Sequence, residues 1–133
     1  MVAGSVMRFL LPQVGDFRVV RELPLIELCN GLVTEALDQG FERLEVLAPR
    51  PGAVIAKIRA CQGRRRSECF ELPSSMHQRV VRRFKAMAKM RRTQPADTRG
   101  VIRFVSDRRK PVDISVRLRP RADGEADVIM TLR

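Results

Sequence analysis

A chain asked what chemistry it can do is read first for histidine and cysteine, and this one offers few of either. His77 is the only histidine, and Cys29, Cys61 and Cys69 form no C-x-x-C pair. A metal centre needs Cys, His or acidic ligands at short spacings, and a catalytic base needs a partner to orient it. Neither pattern occurs, nor does a G-x-S-x-G elbow, an H-E-x-x-H pair or a G-x-x-x-x-G-K-S/T phosphate loop. The chain therefore reads as no enzyme by itself, with no cofactor and no metal. His77 reads as a surface residue. Cys29 and Cys61 fall at positions expected to be apolar, as reduced core thiols.

Cations are what the sequence has in excess. The formal net charge is +11, and it is unevenly placed. The first 63 residues balance, with seven basic against seven acidic, so 19 basic and eight acidic residues from Arg64 onward carry the whole excess. Such asymmetry points to a face for phosphate, nucleic acid or an acidic partner, against the plainer reading of a solvated arginine-rich surface.

The elements that must position these charges follow in close order. With 44% hydrophobic and 31% charged residues over 133 positions, the chain is expected to form a single soluble domain over 1–133. No apolar run approaches the roughly 20 residues of a membrane helix, and the start is too short in apolar residues for a signal peptide. A cytoplasmic protein without membrane insertion is the expectation. Pro24 to Gln39 sets Leu25, Leu28, Cys29, Leu32 and Ala36 on one helical face, with Gly40 as the stop. Two strands, around Leu44–Val46 and across "AVIAKIRAC", form a hairpin through Pro51-Gly52, and a third runs near Ser67 to Leu72. A second helix then carries Met76, Val80, Phe84 and Met87 inward, with Ser75 and Gln78 spaced as a capping box. Its other side is a ridge of Arg79, Arg82, Lys85, Lys89 and Arg92. Three more strands follow: Val101 to Val105, Val112 to Arg119 and Ala126 to Leu132. In the middle one Val112, Ile114, Val116 and Leu118 alternate with Asp113, Ser115, Arg117 and Arg119, so Arg117 and Arg119 join the basic docking face. This order makes an α+β fold, one antiparallel sheet with helices packed on one face.

From about Leu23 to the end, the chain resembles the PAS-like domain that precedes the motor in type II secretion and type IV pilus assembly ATPases, the secretion ATPase E family. "LIELCNGLVTEALDQGFERLEVLAP" is similar to the family's helix followed by "GASDIHIEP". "VVRRFKAMAKMRRTQPADTR" resembles "RIKVMAGLDIAERRxPQDGR", placing Pro95, Asp97 and Arg99 on its Pro, Asp and Arg. "VDISVRLRPRADGE" follows "VDLRVSTLPTxxGE" without a gap, through Val112, Asp113, Val116, Pro120, Gly124 and Glu125. The resemblance implies a PAS-like fold and arginines that reach the phosphates of a bound nucleotide. Arg59 and Arg99 stand at those places, with Lys57 beside them on the strand.

The departures lie where the family handles nucleotide. Glu45 and Leu47 replace the His and Glu of "DIHIEP", Gln62 replaces an Asp, Thr98 a Gly and Ser115 an Arg. No Walker A follows, so the chain reads as either a fragment cut before its motor or a stand-alone relative, with Met1 favouring the second. The implied function is a non-catalytic regulatory or assembly domain that docks on a motor domain or a neighbouring subunit, with a homo-oligomer as a further arrangement. The rival is a basic protein that binds nucleic acid without sequence specificity, drawn from the +11 charge and the ridge and opposed by the lack of Trp and Tyr. A small-molecule sensor is a third reading. The "DISVRL" run also resembles part of the PilZ cyclic-dinucleotide signature, but Leu118 stands where that turn needs Gly. The plain reading of Arg59 and Arg99 is a salt bridge or turn contact, for example of Arg99 with Asp97 or another acid.

Overall fold

The structure is a computed structural model that describes residues 25–64, 66–91, 97–106 and 109–132, with backbone alone at 66–68. Arg92 and Pro95 lie outside the described residues. Within them the order is α1 (Leu25–Asp38), β1 (Arg43–Leu47), β2 (Ile55–Gln62), β3 (Arg66–Pro73), α2 (Ser74–Met87), β4 (Arg99–Ser106), β5 (Arg109–Pro120) and β6 (Ala126–Thr131). A helix and three strands thus occur twice. All six strands join one antiparallel sheet in the order β3-β2-β1-β6-β5-β4. Each half is a meander of short connections, and β1 against β6 is the seam between the halves. The α+β fold expected from the residues is the one found. Among the described residues, no helix is long and apolar enough to cross a membrane.

Alternation along the strands decides which side the helices cover. Leu44 and Val46 of β1, Ala56, Ile58 and Ala60 of β2, Ile114 and Val116 of β5, and Val128 and Met130 of β6 are buried in one cluster. Leu28, Leu32 and Ala36 of α1 and Met76, Val80 and Phe84 of α2 meet them there. Both helices therefore pack on one side. Burying a side chain of this size is worth about 1.5–3 kcal/mol, so the shared cluster dominates folding. The other face of the sheet is left to the alternate residues, most of them charged.

Helix α2 departs from expectation at both ends. Its N-cap is Pro73 rather than Ser75, with no side-chain cap hydrogen bond, so the capping box does not form. Pro73 is also the last residue of β3, and chain continuity from strand to helix fixes this start one residue ahead of the serine pair. At the other end the helix stops at Met87, although the apolar and basic pattern runs on. Lys89 turns into the left-handed region at φ 54, its N–H donates to Ala86 O at 3.0 Å and Met90 N–H donates to Lys85 O at 3.0 Å. This is a Schellman stop, with Lys at the position glycine favours. Met90, just past it, is buried.

That stop sets the height of β4. A Cβ on Gly100 would lie 2.7 Å from Met90 Cγ, 3.0 Å from Ala88 Cβ and 3.1 Å from Ala88 O. Gly100 is the one strand residue small enough for the end of α2 to lie against the sheet. Met90 can swing aside, but Ala88 cannot. Gly100→Ala is therefore expected to cost about 1–3 kcal/mol, read as a lower urea midpoint with unchanged slope. Lys89→Gly is expected to act oppositely, adding about 0.5–1 kcal/mol by relieving the left-handed conformation. Equal stability of the Lys89→Gly and parent chains would mean that this turn carries no strain.

Candidate functional site

The face away from the helices is crossed by a lateral row of side chains fixed by strand register. From one edge to the other it reads Cys69, Arg59, Glu45, Ile129, Arg117 and Arg99. The next row carries Cys61, Arg43, Thr131, Ser115 and Val101. Between the two, around β4, β5 and β6, lies a depression of about 640 Å³ lined by Arg43, Arg99, Ser115, Arg117, Ile129 and Thr131 among others. Three guanidiniums and two hydroxyls thus surround one shallow hollow. Ile129 faces the same way yet is only 6% exposed, set between Glu45 and Arg117 in the register.

Acids bury themselves on this face beside some cations and leave others alone. Glu45, 4% exposed, takes Arg43 Nε at 2.7 Å on one oxygen and Arg59 NH2 and Nε at 2.6 and 2.9 Å on the other. The hydrogen bond to Glu45 raises the Arg59 pKa above its ordinary value. Asp127, 2% exposed, accepts Ala48 N–H at 2.7 Å and the Nε and NH2 of Arg119 at 3.0 and 2.7 Å. Burial alone would push its carboxyl up, but these bonds outweigh it and hold the pKa below the usual carboxylate range. Arg103 pairs with Asp113 at 3.1 Å across β4 and β5. Arg99 and Arg117 have no acidic group of the described residues within 4.0 Å.

Arg99 and Arg117 stand directly opposite each other. Leu118 N–H donates to Thr98 O at 2.8 Å, so the pair one step along is hydrogen-bonded and the alternation of an antiparallel ladder makes Arg99–Arg117 a non-hydrogen-bonded pair. In such pairs the Cα atoms approach to about 4.5 Å, and like charges directly opposite are destabilising. The ion partner expected for Arg99 is engaged elsewhere. Asp97 accepts Arg91 N–H at 2.6 Å and Arg91 Nε at 3.1 Å, bonds that lower its pKa, the backbone one most. Asp97 thereby fastens the chain just ahead of β4 and leaves Arg99 unneutralised.

The sequence candidates thus part into separate places. Arg99, Arg59 and Arg117 share one row, with Arg59 already clamped by Glu45. Lys57 lies one row along from Arg59, opposite Glu71, and Arg119 is held by Asp127. The ridge of α2 is another surface: Arg79, Arg82 and Lys89 are exposed and Lys85 is half-buried, on the helical layer, while Arg117 and Arg119 project from the far side of the sheet. The basic docking face expected as one surface is therefore two, with the sheet and core between them. Arg43, Ser115 and Thr131 were missed as lining residues. Their signal was the period-two alternation of β1, β5 and β6, which could have been read only once β1 was known to pair with β6.

The remaining reactive groups do not gather. Cys29 is fully buried and its thiol is pushed up to about 12 by burial, against a smaller pull from Arg83. Cys61 is buried and Cys69 exposed, and all three are free thiols. Among the described residues no group of three His, Cys, Asp or Glu side chains could hold a metal ion. His77, expected at the surface, is only 2% exposed, because it lies on the buried side of α2 with Met76, Val80 and Phe84. Neither ring nitrogen finds a hydrogen-bond partner. Burial lowers its pKa, against smaller opposing pulls from Glu125, Asp127 and the Ala126 backbone.

This gives a pH dependence with a definite sign. With the folded pKa below the unfolded one, the unfolded chain takes up a proton first, so the His77 contribution to stability is flat above the ordinary His value of about 6.5 and falls as pH drops through it, while the raised Cys29 thiol acts only from about pH 8.5 upward. Asp127 acts lower down: its stabilisation holds above the unfolded value of about 3.9 and is lost as pH falls toward its depressed folded pKa. Thermal midpoints should be level from pH 8 to 7, drop below that, and drop again in strong acid. His77→Leu should abolish the first decline and keep the second; an unchanged profile would refute the role given to His77.

Comparison with known proteins adds no family: no protein-family model matches the chain, and no curated protein matches it.

Proposed function

We propose that the chain is a non-catalytic regulatory or assembly domain that works in the cytoplasm by docking the open face of its sheet on the motor domain, or a neighbouring subunit, of a type II secretion or type IV pilus ATPase. The observation that carries this reading is the Arg99–Arg117 pair. Two cations face each other at close range in a hollow where no described acid neutralises them, while the buried Glu45 and Asp127 neutralise Arg43, Arg59 and Arg119, and the exposed Asp113 pairs with Arg103. An incoming anion would relieve their repulsion, and a paired guanidinium fork suits a phosphate or a carboxylate. Arg43, Ser115 and Thr131 add donors on the same rim. The motif resemblance supplies the kind of partner, a nucleotide-bearing motor, with Arg99 at the place of the family's conserved-motif arginine.

Nucleic acid is the competing partner for such a surface. Single-strand binding without sequence preference relies on aromatic rings that stack on bases. The described phenylalanines, Phe41, Phe70, Phe84 and Phe104, are all buried in the core. Among the described residues the open face therefore offers charge without a stacking platform, which favours a protein-borne anion.

The test is co-sedimentation of the purified chain with a secretion or pilus motor ATPase carrying nucleotide, repeated with Arg99→Glu/Arg117→Glu. Association that weakens at least roughly tenfold in the double variant is expected, the scale of losing two charge-assisted contacts. Association unaffected by the reversal would sink the role of this face. Absence of association, with salt-sensitive binding to DNA or RNA in its place, would favour the nucleic-acid reading.

A further inference from the structure

We infer that the β4 edge of the sheet is a strand-addition site for an extended segment of a partner protein, one that alternates acidic and apolar residues on one face. Three observations meet there. First, among the described residues β4 is a terminal strand of the sheet. Thr98 and Leu118 form a hydrogen-bonded pair, so Gly100 and Ile102 spend their backbone groups on β5, whereas Arg99, Val101 and Arg103 turn their N–H and C=O outward. Second, the residues whose backbones point outward are those whose side chains lie on the open face: Arg99, Val101 and Arg103. Val101 is 54% exposed, and Val105, next along, is 67% exposed. Third, the ladder shifts register between Phe104 and Ser106, so regular pairing along the edge ends there, after about six residues of straight strand.

Charge decides the occupant. A strand laid along β4 sets its own alternate side chains beside Arg99, Val101 and Arg103, and cross-strand neighbours of opposite charge are favourable where like charges are not. The complement is acidic, apolar, acidic, the second acid sharing Arg103 with the exposed Asp113 that Arg103 already pairs with. The β4 edge of a second copy does not supply it, and the β3 edge of a second copy, with Cys69 and Glu71 on the open face, offers one acid where two are called for. Antiparallel pairing of two β4 strands centred on Val101 sets Arg99 against Arg103 of the other copy; the next register one way sets both arginines against valines, and the other way sets Arg99 against Val101 and Arg103 against Asp97, which Arg91 already holds. None brings an acid to Arg99. Main-chain bonds would supply affinity and the arginine and valine positions the selectivity, as in other strand additions. Edge arginines also deter indiscriminate pairing between sheets, and here the same charges select an acidic strand. Strand addition and anion docking share Arg99 but not the outward backbone of β4 or Arg117, so Val101→Pro, which removes an edge donor and no charge, and Arg117→Glu, which alters the hollow and no edge residue, separate the two.

The probe is an acetylated hexapeptide, Thr-Glu-Thr-Val-Thr-Glu, with Lys in place of Glu as the control, and the readout is amide hydrogen exchange of the whole chain resolved by residue. The acidic peptide is expected to slow exchange at Arg99, Val101 and Arg103 and to leave Gly100 and Ile102, already bonded to β5, unchanged. The basic peptide should do neither. Arg99→Glu/Arg103→Glu should invert the preference between the peptides. Val101→Pro removes one outward donor and no bond to β5, so it tests the site even if charge reversal unfolds the chain; its peptide affinity should fall roughly tenfold. The inference is overturned by equal protection from both peptides, by no protection at saturating acidic peptide, or by protection in the free chain that grows with its own concentration, which would mark a second copy at the edge.

Discussion

The pairing of β1 with β6 is the constraint on which the rest of the molecule depends. Each half, a helix with three strands, could fold back on itself by local turns, but only this seam joins the halves into one sheet with one core. It is fastened beyond its own ladder at both ends. Leu132 N–H donates to Glu42 O at 2.8 Å on one side, and Ala48 N–H donates to the buried carboxylate of Asp127 on the other. Removing that carboxylate would orphan a buried N–H and a half-exposed guanidinium together, which makes Asp127 worth more to the seam than an ordinary surface acid.

The seam also distributes the charge of the open face. Because β1 lies beside both β2 and β6, Glu45 falls between Arg59 and Ile129, and because β6 lies beside β5, Asp127 falls next to Arg119. Two buried acids therefore serve cations near the middle of the sheet. Nothing comparable reaches the outer pair, Arg99 and Arg117, since their cross-strand neighbours are each other and Ile129. The hollow is cationic for a topological reason: the acids are on the central strands and the unmatched arginines are toward the edge.

The elements were largely legible in the sequence and the site was not. Periodicity of 3.6 in Leu25, Leu28, Cys29, Leu32 and Ala36, and of two in Val112, Ile114, Val116 and Leu118, is a local property, so it reports the helix, the strand and their buried sides directly. The face occupied by Arg117 and Arg119 followed from that alternation. The end of α2 did not, because Ala88 to Met90 continue an amphipathic pattern and the stop comes from a left-handed Lys89, which no residue type announces. Nor did the fate of Arg99. The nearest acid in sequence is Asp97, but Arg91 takes it through a backbone N–H as well as a side chain. For Arg59 a salt bridge is one reading of the sequence, but the acid that makes it, Glu45, is 14 residues away and becomes its neighbour only in the sheet. His77 was misplaced although it stands three residues before Val80 and seven before Phe84, the spacing of the buried stripe of α2.

Local rules are kept over most of this molecule, and the exceptions are concentrated around one strand. Gly100 weakens a strand by its lack of side chain, Lys89 holds a left-handed turn beneath it, Arg99 faces a like charge, and Val101 and Val105 stand in solvent on the edge. Gly100 and Lys89 have a packing reason, since together they let the end of α2 support β4 from the core side. Arg99 and Val101 have none within the chain: their cost, a few tenths of a kcal/mol to about 1 kcal/mol for the like-charge pair alone, is offset by no described contact. Exceptions to local consistency that the fold itself does not compensate are where function is to be sought. By that argument β4 is the edge where the proposed contacts are best sought: α2 supports it from the core side, and no described strand pairs with its outward backbone.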